Sequence, residues 1–449
     1  MAPDSTTIMV VASLASVAAA GFGLEHRRQR AARGDLFRAQ SLGNDDPPTL
    51  YPRIEPSLCV GCGGCVTACP EKDVLRVVDG RARLVNASHC VGHGECKPVC
   101  PTGALELVFG TATRGVQIPL LGEDMQTSVK GIYVAGELGG FGLIRTAVTQ
   151  GVQVVGHLSA GLGPKREAGL VDVAIVGAGP AGIAAALACR ERGLSHAILD
   201  QDGLGGSVHH YPRRKLVMTA PVKLPVIGLM NFREVSKEEL IAYWRDVVRK
   251  ADLKLHAPTR VTSIESLDGG FRIGFDRGEL RAQRVVLAMG RRGTPRKLGV
   301  PGEESEKVAY RLLEPEQFAD RRAIVVGGGN SAVEAAISLA EAGAKTLLSY
   351  RGDRLSRVAP ANAKRLEALR GPSLGILLQS EVCRIEKDRV LLRAGSAERW
   401  AANDQVFAMI GGDLPTKFLE KIGVATKTFF GEAPRAPLPA ASAVPGGRS

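Results

Sequence analysis

The chain has 449 residues, of which 45% are hydrophobic and only 4% aromatic, and 54 are glycine. That length gives room for about three domains, and the glycine-rich, aromatic-poor profile suits tight nucleotide-binding turns better than a β-sandwich. The formal charge of +12 comes without a helix-turn-helix or zinc-finger pattern, which argues against a nucleic-acid partner.

In chain order, the first feature is IMVVASLASVAAAGFGL, Ile8 to Leu24, 17 residues without a charge. As a helix it spans roughly 26 Å, the short end for a bilayer. No basic residue precedes it, and HRRQRAAR follows at 26–33. Residues 1–25 therefore read as a single-pass anchor in the inner membrane, with the body of the chain in the cytoplasm. The alternatives are a soluble hydrophobic helix or a spurious extension from a misassigned start. Residues 26–50 read as a polar linker ending in NDDPP.

Seven of the nine cysteines fall between 59 and 100, and Cys189 and Cys383 stand alone. This placement suits a reducing compartment, not a disulfide framework. CVGCGGCVTACP carries Cys59, Cys62, Cys65 and Cys69 in the frame C-x2-C-x2-C-x3-C-P, which holds iron–sulfur clusters. Thirty-one residues later CVGHGECKPVCP repeats the frame with Cys90, Cys96 and Cys100, and with His93 in place of the second cysteine. Two such runs mark a two-cluster ferredoxin unit, here 51–110, in which each run's fourth cysteine serves the other cluster. Cluster I then takes Cys59, Cys62, Cys65 and Cys100; cluster II takes Cys69, Cys90 and Cys96. Either His93 completes cluster II as a four-iron site, or a three-iron cluster leaves it a bystander. A strand-like segment follows each run, VLRVVDGRARLV and then ALELVFG.

VDVAIVGAGPAGIAAALACRERGLSHAILDQ, 171–201, is a strand, a glycine turn, an Ala-rich helix and a second strand. It is the dinucleotide fingerprint in its βαβ context. Gly177 makes the turn, Gly179 lets the backbone approach a pyrophosphate, and Gly182 permits close packing. Pro180 and Ala181 open the helix, whose N-terminus favours phosphate. Asp200 closes the second strand, where an acid accepts ribose hydroxyls. AIVVGGGNSAVEAAISLAEAGAKTLLSY, 323–350, repeats the layout with Gly327, Gly329, Asn330 and Ser331, and with Ala332 as third small residue. No acid ends its second strand; Tyr350 and Arg351 do, with Arg354 and Arg357 behind. Arginine there suits a 2′-phosphate, so NADP(H) is favoured over NAD(H). The alternative is a solvated surface loop. Two such folds in one chain imply FAD in the first and a nicotinamide nucleotide in the second.

These residues resemble the thioredoxin-reductase-like flavoproteins, and more narrowly the bacillithiol disulfide reductases, over roughly 111–425. GAGPAG is similar to their FAD motif, VVLAMG to their ATG hinge, and GGGNSAVEAA to their nicotinamide motif. GGSVHHYPRRKLVMTAPVKLP (205–225) is similar to the HYP segment near the flavin, which places His209 and His210 near the isoalloxazine. DQVFAMIGGDLPTKFLEKIGV (404–424) resembles the exit from the nicotinamide domain. Two departures stand out. Thioredoxin reductases carry a CxxC before the nicotinamide motif, where this chain has YRLLEPEQFADRRAIVV. Their closing flavin segment, which belongs at the C-terminal end, resembles TSVKGIYVAGELGGFGLIRTAVTQGVQVVGHL at 127–158 instead, with Gly136 and Glu137 at the flavin. The resemblance therefore implies a circular permutation, tolerable where domain termini lie close.

The expected fold is α/β: two Rossmann-like dinucleotide-binding domains, an α+β two-cluster ferredoxin-like domain and an N-terminal transmembrane helix. The divisions are 111–168 (permuted flavin segment), 169–295 (FAD), 296–425 (NAD(P)) and 426–449 (a disordered Pro/Ala-rich tail). The expected activity is that of an NAD(P)H-dependent FAD and iron–sulfur oxidoreductase, with electrons moving to or from an external carrier or small redox substrate. No acid–base pair is required for hydride transfer, so no general base is nominated. A low-molecular-weight disulfide reductase, a genuine thioredoxin reductase, and a non-enzymatic redox sensor or electron-carrier module compete with it. The resemblance also admits a homodimer.

Overall fold

In the computed structural model of this chain, the described residues are 5–42, 47, 50–112, 114–163, 169–211, 215–291, 295–355, 358–412 and 415–434. They form two compact units, Met1–Val108 and Phe109–Ser449.

The first unit opens with one unbroken helix, α1 (Ser5–Leu42). Among the described residues no helix is long and apolar enough to cross a membrane, so the membrane anchor expected over 1–25 finds no support in them. The side chains of Ile8 and of residues 10–13, 17 and 18 lie outside the described residues. The helix continues straight from this stretch into its arginines. Residues 26–42, expected as linker, are the second half of α1 and belong to the folded unit. Ala32 and Ala39 are buried with Val78 and Val85, and Leu36 packs beside them. Arg33 donates to Asp79 at 2.9 Å, and the Gln29 side-chain Oε1 accepts from the Asp79 N–H at 3.0 Å. Ala32, Leu36 and Ala39, spaced four and three residues apart, form one narrow face that lets the helix come close, and the flanking polar pairs set its register.

Four short strands complete this unit. β1 (Leu50–Ile54) pairs with β4 (Leu105–Phe109). Between them lies the antiparallel hairpin of β2 (Leu75–Val78) and β3 (Arg81–Leu84). Its turn is Asp79-Gly80, both at positive φ (53° and 71°), the Asp-Gly geometry that suits a two-residue hairpin loop.

The second unit holds two sheets with parallel cores, the first of them mixed. In the first, β7 (Leu170–Val176) and β8 (His196–Leu199) run parallel beside β9 (Gly278–Leu287). Leu255–His256 extends the β8 edge, and the meander Gly270–Phe275 and Val261–Leu267 extends the other. β6 (Ile132–Val134) joins the same sheet, parallel to the end of β9. Helix α2 (Ile144–Ser159) follows β6 and lies on α3 (Pro180–Glu191). An added Cβ on Gly151 would stand 2.2 Å from the Ala181 carbonyl, so this crossing requires glycine.

The second sheet is built on β10 (Arg322–Val326), β11 (Lys345–Ser349) and β12 (Gln405–Ala408). β10 lies between the other two, and all three run parallel. Helix α4 (Asn330–Glu341) packs on β10 and β11, and α5 (Pro360–Leu369) packs on α4. β5 (Val116–Pro119) and β13 (Thr426–Phe429) form an antiparallel pair. A strand therefore stands where the tail was expected to begin. The tail beyond 434 lies outside the described residues.

Candidate functional site

The residues expected as iron–sulfur ligands lie on loops, and the fold draws several of them together. Cys69, at the end of the first run, lines one cleft with Cys90, His93 and Cys96 of the second. This is the set expected of cluster II, with His93 facing the same space as three thiols. Burial pushes the Cys90 thiol up to about 11 and the Cys96 thiol up to about 12. Buried thiols held this tightly protonated are poor anions alone and good ligands once a metal replaces their protons.

Cys59, Cys62 and Cys65 lie close enough that the charges of Cys59 and Cys62 add to the effect of burial in raising the Cys65 thiol. The Ala82 N–H donates to the Cys59 sulfur at 3.3 Å, a bond of the type that tunes cluster potential. At Cys100 burial is opposed by the Thr102 hydroxyl and by N–H groups of Thr102, Ala104 and Leu105, which bring the thiol below its ordinary value. Gly61 has φ +69° and presses on Gly80, where a Cβ would stand 2.0 Å from the carbonyl oxygen. Among the described residues no three of His, Cys, Asp or Glu stand close enough to hold a single ion. The donor set fits clusters.

The flavin fingerprint is equally complete. Gly177 (φ +113°) leaves no room for a Cβ, which would lie 2.4 Å from the Ala288 carbonyl, and one on Gly182 would lie 1.8 Å from the Gly177 carbonyl. Gly179 caps α3 without a side-chain bond, and Pro180, which lacks an N–H, begins the helix. The uncapped first turn points its donors outward, as a pyrophosphate requires. Asp200 is differently employed than the sequence suggests. Its carboxylate accepts N–H bonds from Ala178 (2.6 Å), Asp202 (2.8 Å) and Gly203 (2.7 Å), so it clamps two loops of the cradle together. The motif of β6 also reaches this cradle. A Cβ on Gly136 would lie 3.0 Å from Ala181, and one on Gly290 would lie 3.6 Å from the Glu137 carboxylate. Buried Gln150 holds the loop by accepting from the Gly136 N–H at 2.8 Å. Nothing in the sequence singled out Gln150, because a glutamine in a helix carries no positional signal.

In the second fingerprint Gly327 has φ +147°, and Gly329 caps α4 with no side-chain bond. The Asn330 side chain is engaged within the protein. Its side chain donates to Glu334 at 2.7 Å and accepts from the Ala359 N–H and from Asn362, both at 3.0 Å. Ser331 is exposed. Arg351 and Arg354 are exposed beyond β11; Arg357 lies outside the described residues. The Tyr350 ring covers Gly328, where a Cβ would meet it at 2.3 Å.

Two polar links, unforeseen from the sequence, tie the nicotinamide sheet to the 205–225 segment. Lys215 pairs with Glu334 at 2.6 Å. Arg311 donates to His210 Nδ1 at 2.8 Å, and His210 Nε2 meets Asp202 at 3.0 Å. Burial and then Arg311 lower the His210 pKa against the pull of Asp202, so this ring is neutral near pH 7. His209 stacks edge-on against it.

The family profile described as pyridine nucleotide-disulphide oxidoreductase matches residues 174–431, more than half of the chain. The chain belongs to that family. A second profile, a 4Fe-4S dicluster domain, matches residues 51–101. The bacilliredoxin reductase Bdr of Bacillus subtilis (strain 168) is 29% identical to the oxidoreductase over 257 residues, 56% of this chain and 79% of that protein. A ferredoxin–NADP reductase of Ignicoccus hospitalis is 28% identical over 184 residues, 41% of this chain but only 57% of that reductase. The solved structure of bacillithiol disulfide reductase Bdr (YpdA) from Bacillus cereus aligns with a TM-score of 0.53 at 28% identity, covering 57% of this chain and 82% of that one. The chain is thus an NAD(P)H-dependent flavoprotein oxidoreductase with a fused iron–sulfur unit. Its pyridine-nucleotide fold covers the two fingerprints, and its dicluster match covers both cysteine runs.

Proposed function

We propose that this oxidoreductase exchanges electrons between NADPH and an external one-electron carrier through two iron–sulfur sites. The observation that carries this reading is the distribution of thiols. Residues 109–449 contain only Cys189 and Cys383. Cys189 is fully buried in α3, and Cys383 is half-buried in the strand Ser380–Ile385. The flavin unit offers no CxxC relay, whereas seven thiols stand in the fused unit in cluster frame.

FAD, when bound, would supply the conversion between two-electron hydride chemistry and the one-electron chemistry of iron–sulfur clusters. The residues divide the remaining work. The first turn of α3, with Gly177, Gly179 and Gly182, would hold the FAD pyrophosphate, and the Asp200 clamp keeps that loop in shape. Gly136 and Glu137 supply the wall on the β6 side. The first turn of α4 would hold the nicotinamide nucleotide, with Arg351 and Arg354 toward a 2′-phosphate. Cys59, Cys62, Cys65 and Cys100 would hold one cluster, and Cys69, Cys90, Cys96 and His93 the other.

The placement of β6 and α2 in the flavin sheet supports the further proposal that this domain is circularly permuted. Phe109 donates its N–H to the Glu432 carbonyl at 2.9 Å, and Gly431 donates to the Phe109 carbonyl at 2.8 Å. The end of the nicotinamide segment and the start of the displaced flavin segment thus lie side by side, as a cut connection would leave them. A second reading, reduction of a small disulfide, is favoured by the similarity that spans 79% of the bacilliredoxin reductase.

Anaerobic titration of the reconstituted protein with NADPH, followed by flavin absorbance and by cluster EPR, separates the two. Flavin bleaching followed by cluster signals supports the carrier reading. Bleaching with silent clusters, together with NADPH-dependent cleavage of small disulfides by cluster-free protein, replaces it with the second.

A further inference from the structure

The loop of cluster I presents an unusual edge. Cys62 is exposed, whereas Cys90 and Cys96 of the other site are buried at 8% and 6% exposure. Around Cys62 the loop displays apolar side chains to solvent: Leu58 at 51%, Val60 at 66% and Val99 at 44% exposure. Val99 belongs to the second run but lies against the same loop, since its carbonyl is 3.3 Å from where a Cβ on Gly64 would stand.

Unpaired cations stand beside this edge, while Asp79 in the neighbouring turn is paired with Arg33. The loop is pressed against the β2–β3 turn at Gly80, whose carbonyl would meet a Gly61 Cβ at 2.0 Å. Arg81 follows that turn, and Arg83 lies two residues on along β3; both are exposed, as is Lys97 beside Val99. Among the described residues none of the three side chains forms a hydrogen bond or ion pair. Glu55, an exposed carboxylate near Leu58, is engaged by the Ser57 hydroxyl at 2.6 Å and by its N–H at 3.2 Å. An apolar centre over a redox ligand, rimmed by free cations, is complementary to a protein with an apolar redox edge and an acidic rim.

We infer that the Leu58–Cys62–Val99 edge is the docking surface for a small acidic one-electron carrier protein, and that cluster I is the electron port. The inference rests on the carrier reading above and names its partner and its exit. The exchange balances as one NADPH and two oxidised carriers giving NADP⁺, one proton and two reduced carriers. Steering by Arg81, Arg83 and Lys97 makes the encounter salt-sensitive. The apolar edge excludes water once contact is made.

An acidic plant-type ferredoxin serves as the probe, with the reconstituted full-length chain. Calorimetry at about 50 mM and about 500 mM salt reads binding directly. The triple variant Arg81→Glu, Arg83→Glu, Lys97→Glu, verified by EPR to hold its clusters, is expected to weaken binding by at least about 10-fold at low salt and much less at high salt. Val60→Ser is expected to weaken it at both salts. NADPH-driven reduction of the variants' own clusters stays at the wild-type rate. Equal affinity of wild type and both variants at low salt overturns the inference. So does loss of internal cluster reduction in the variants, which would assign this edge to the path from the flavin. If NADPH fails to reduce the clusters even in wild type, the carrier reading falls. The calorimetric comparison, and direct electron exchange from dithionite-reduced ferredoxin to cluster I, still decide the docking surface.

Discussion

At the scale of single residues, His93 is the sharpest case. It replaces a cysteine in a frame that otherwise repeats, and it shares a cleft with Cys69, Cys90 and Cys96. A cysteine there would be the ordinary ligand. The variant His93→Cys is expected to give a four-iron EPR signal with a lower potential than wild type, because a thiolate brings negative charge that an imidazole does not. His93→Ala is expected to lose one iron and show a three-iron signal when oxidised; a four-iron signal unchanged in both variants would remove His93 from the ligand set. The arginines after β11 pose a question of cofactor choice. Charge-assisted bonds to phosphate are worth about 1.5–3 kcal/mol. Arg351→Ala combined with Arg354→Ala should therefore lower kcat/KM for NADPH by roughly 10- to 100-fold and leave that for NADH nearly unchanged, as steady-state kinetics with each nucleotide would show.

At the scale of elements, charge and packing act at strand and helix ends. Arg322 at the start of β10 forks onto Asp404 just before β12, at 2.9 and 2.6 Å, and its N–H donates to the same carboxylate at 2.8 Å. These bonds lower the Asp404 pKa to about 2. A carboxyl depressed on folding stabilises the fold above its unfolded pKa and loses that effect as pH falls through its folded value. The thermal stability of wild type should exceed that of Asp404→Asn above about pH 4, and the gap should close toward about pH 2. Melting curves across pH 2–7 test this; a gap that persists at pH 2 would mean packing rather than charge is responsible. Helix contacts were harder to foresee than helix existence. The fingerprints announced α3 and α4 through glycine spacing, and the structure places both where the motifs stand. Nothing in the spacing told that Asn330 would hold the Ala359 turn or that Asp200 would clamp its own loop, because those bonds depend on which loops meet. The second half of α1 was misjudged for a related reason. Charge density suggested a linker, but Ala32, Leu36 and Ala39 form a narrow stripe that only its partner strands reveal.

At the scale of the whole molecule, the flavin-like motif at 127–158 was legible in the sequence, while the docking of α2 on α3 was not. The tight crossing at Gly151 makes that docking testable. Gly151→Val would drive a side chain into the Ala181 carbonyl and lift α2 off α3, at about 1–3 kcal/mol, with FAD retention falling in proportion. Reconnection is the stronger test. The β13–β5 pair and the Phe109–Glu432 bonds leave the two loose ends within one hairpin turn of each other. A chain beginning at 169, running through Glu432, crossing an Asn-Gly turn and continuing from Phe109 to 163 restores the uncut order without the iron–sulfur unit. It should fold as a monomeric flavin unit, bind FAD stoichiometrically and oxidise NADPH with an artificial two-electron acceptor, because every strand pair in both sheets is retained. Its chain order should make little difference to stability, since joining ends already paired adds only a short loop. Failure to bind FAD, with helix content intact by circular dichroism, would mean that β6 and α2 require their present order, and the permutation proposal would fall with it.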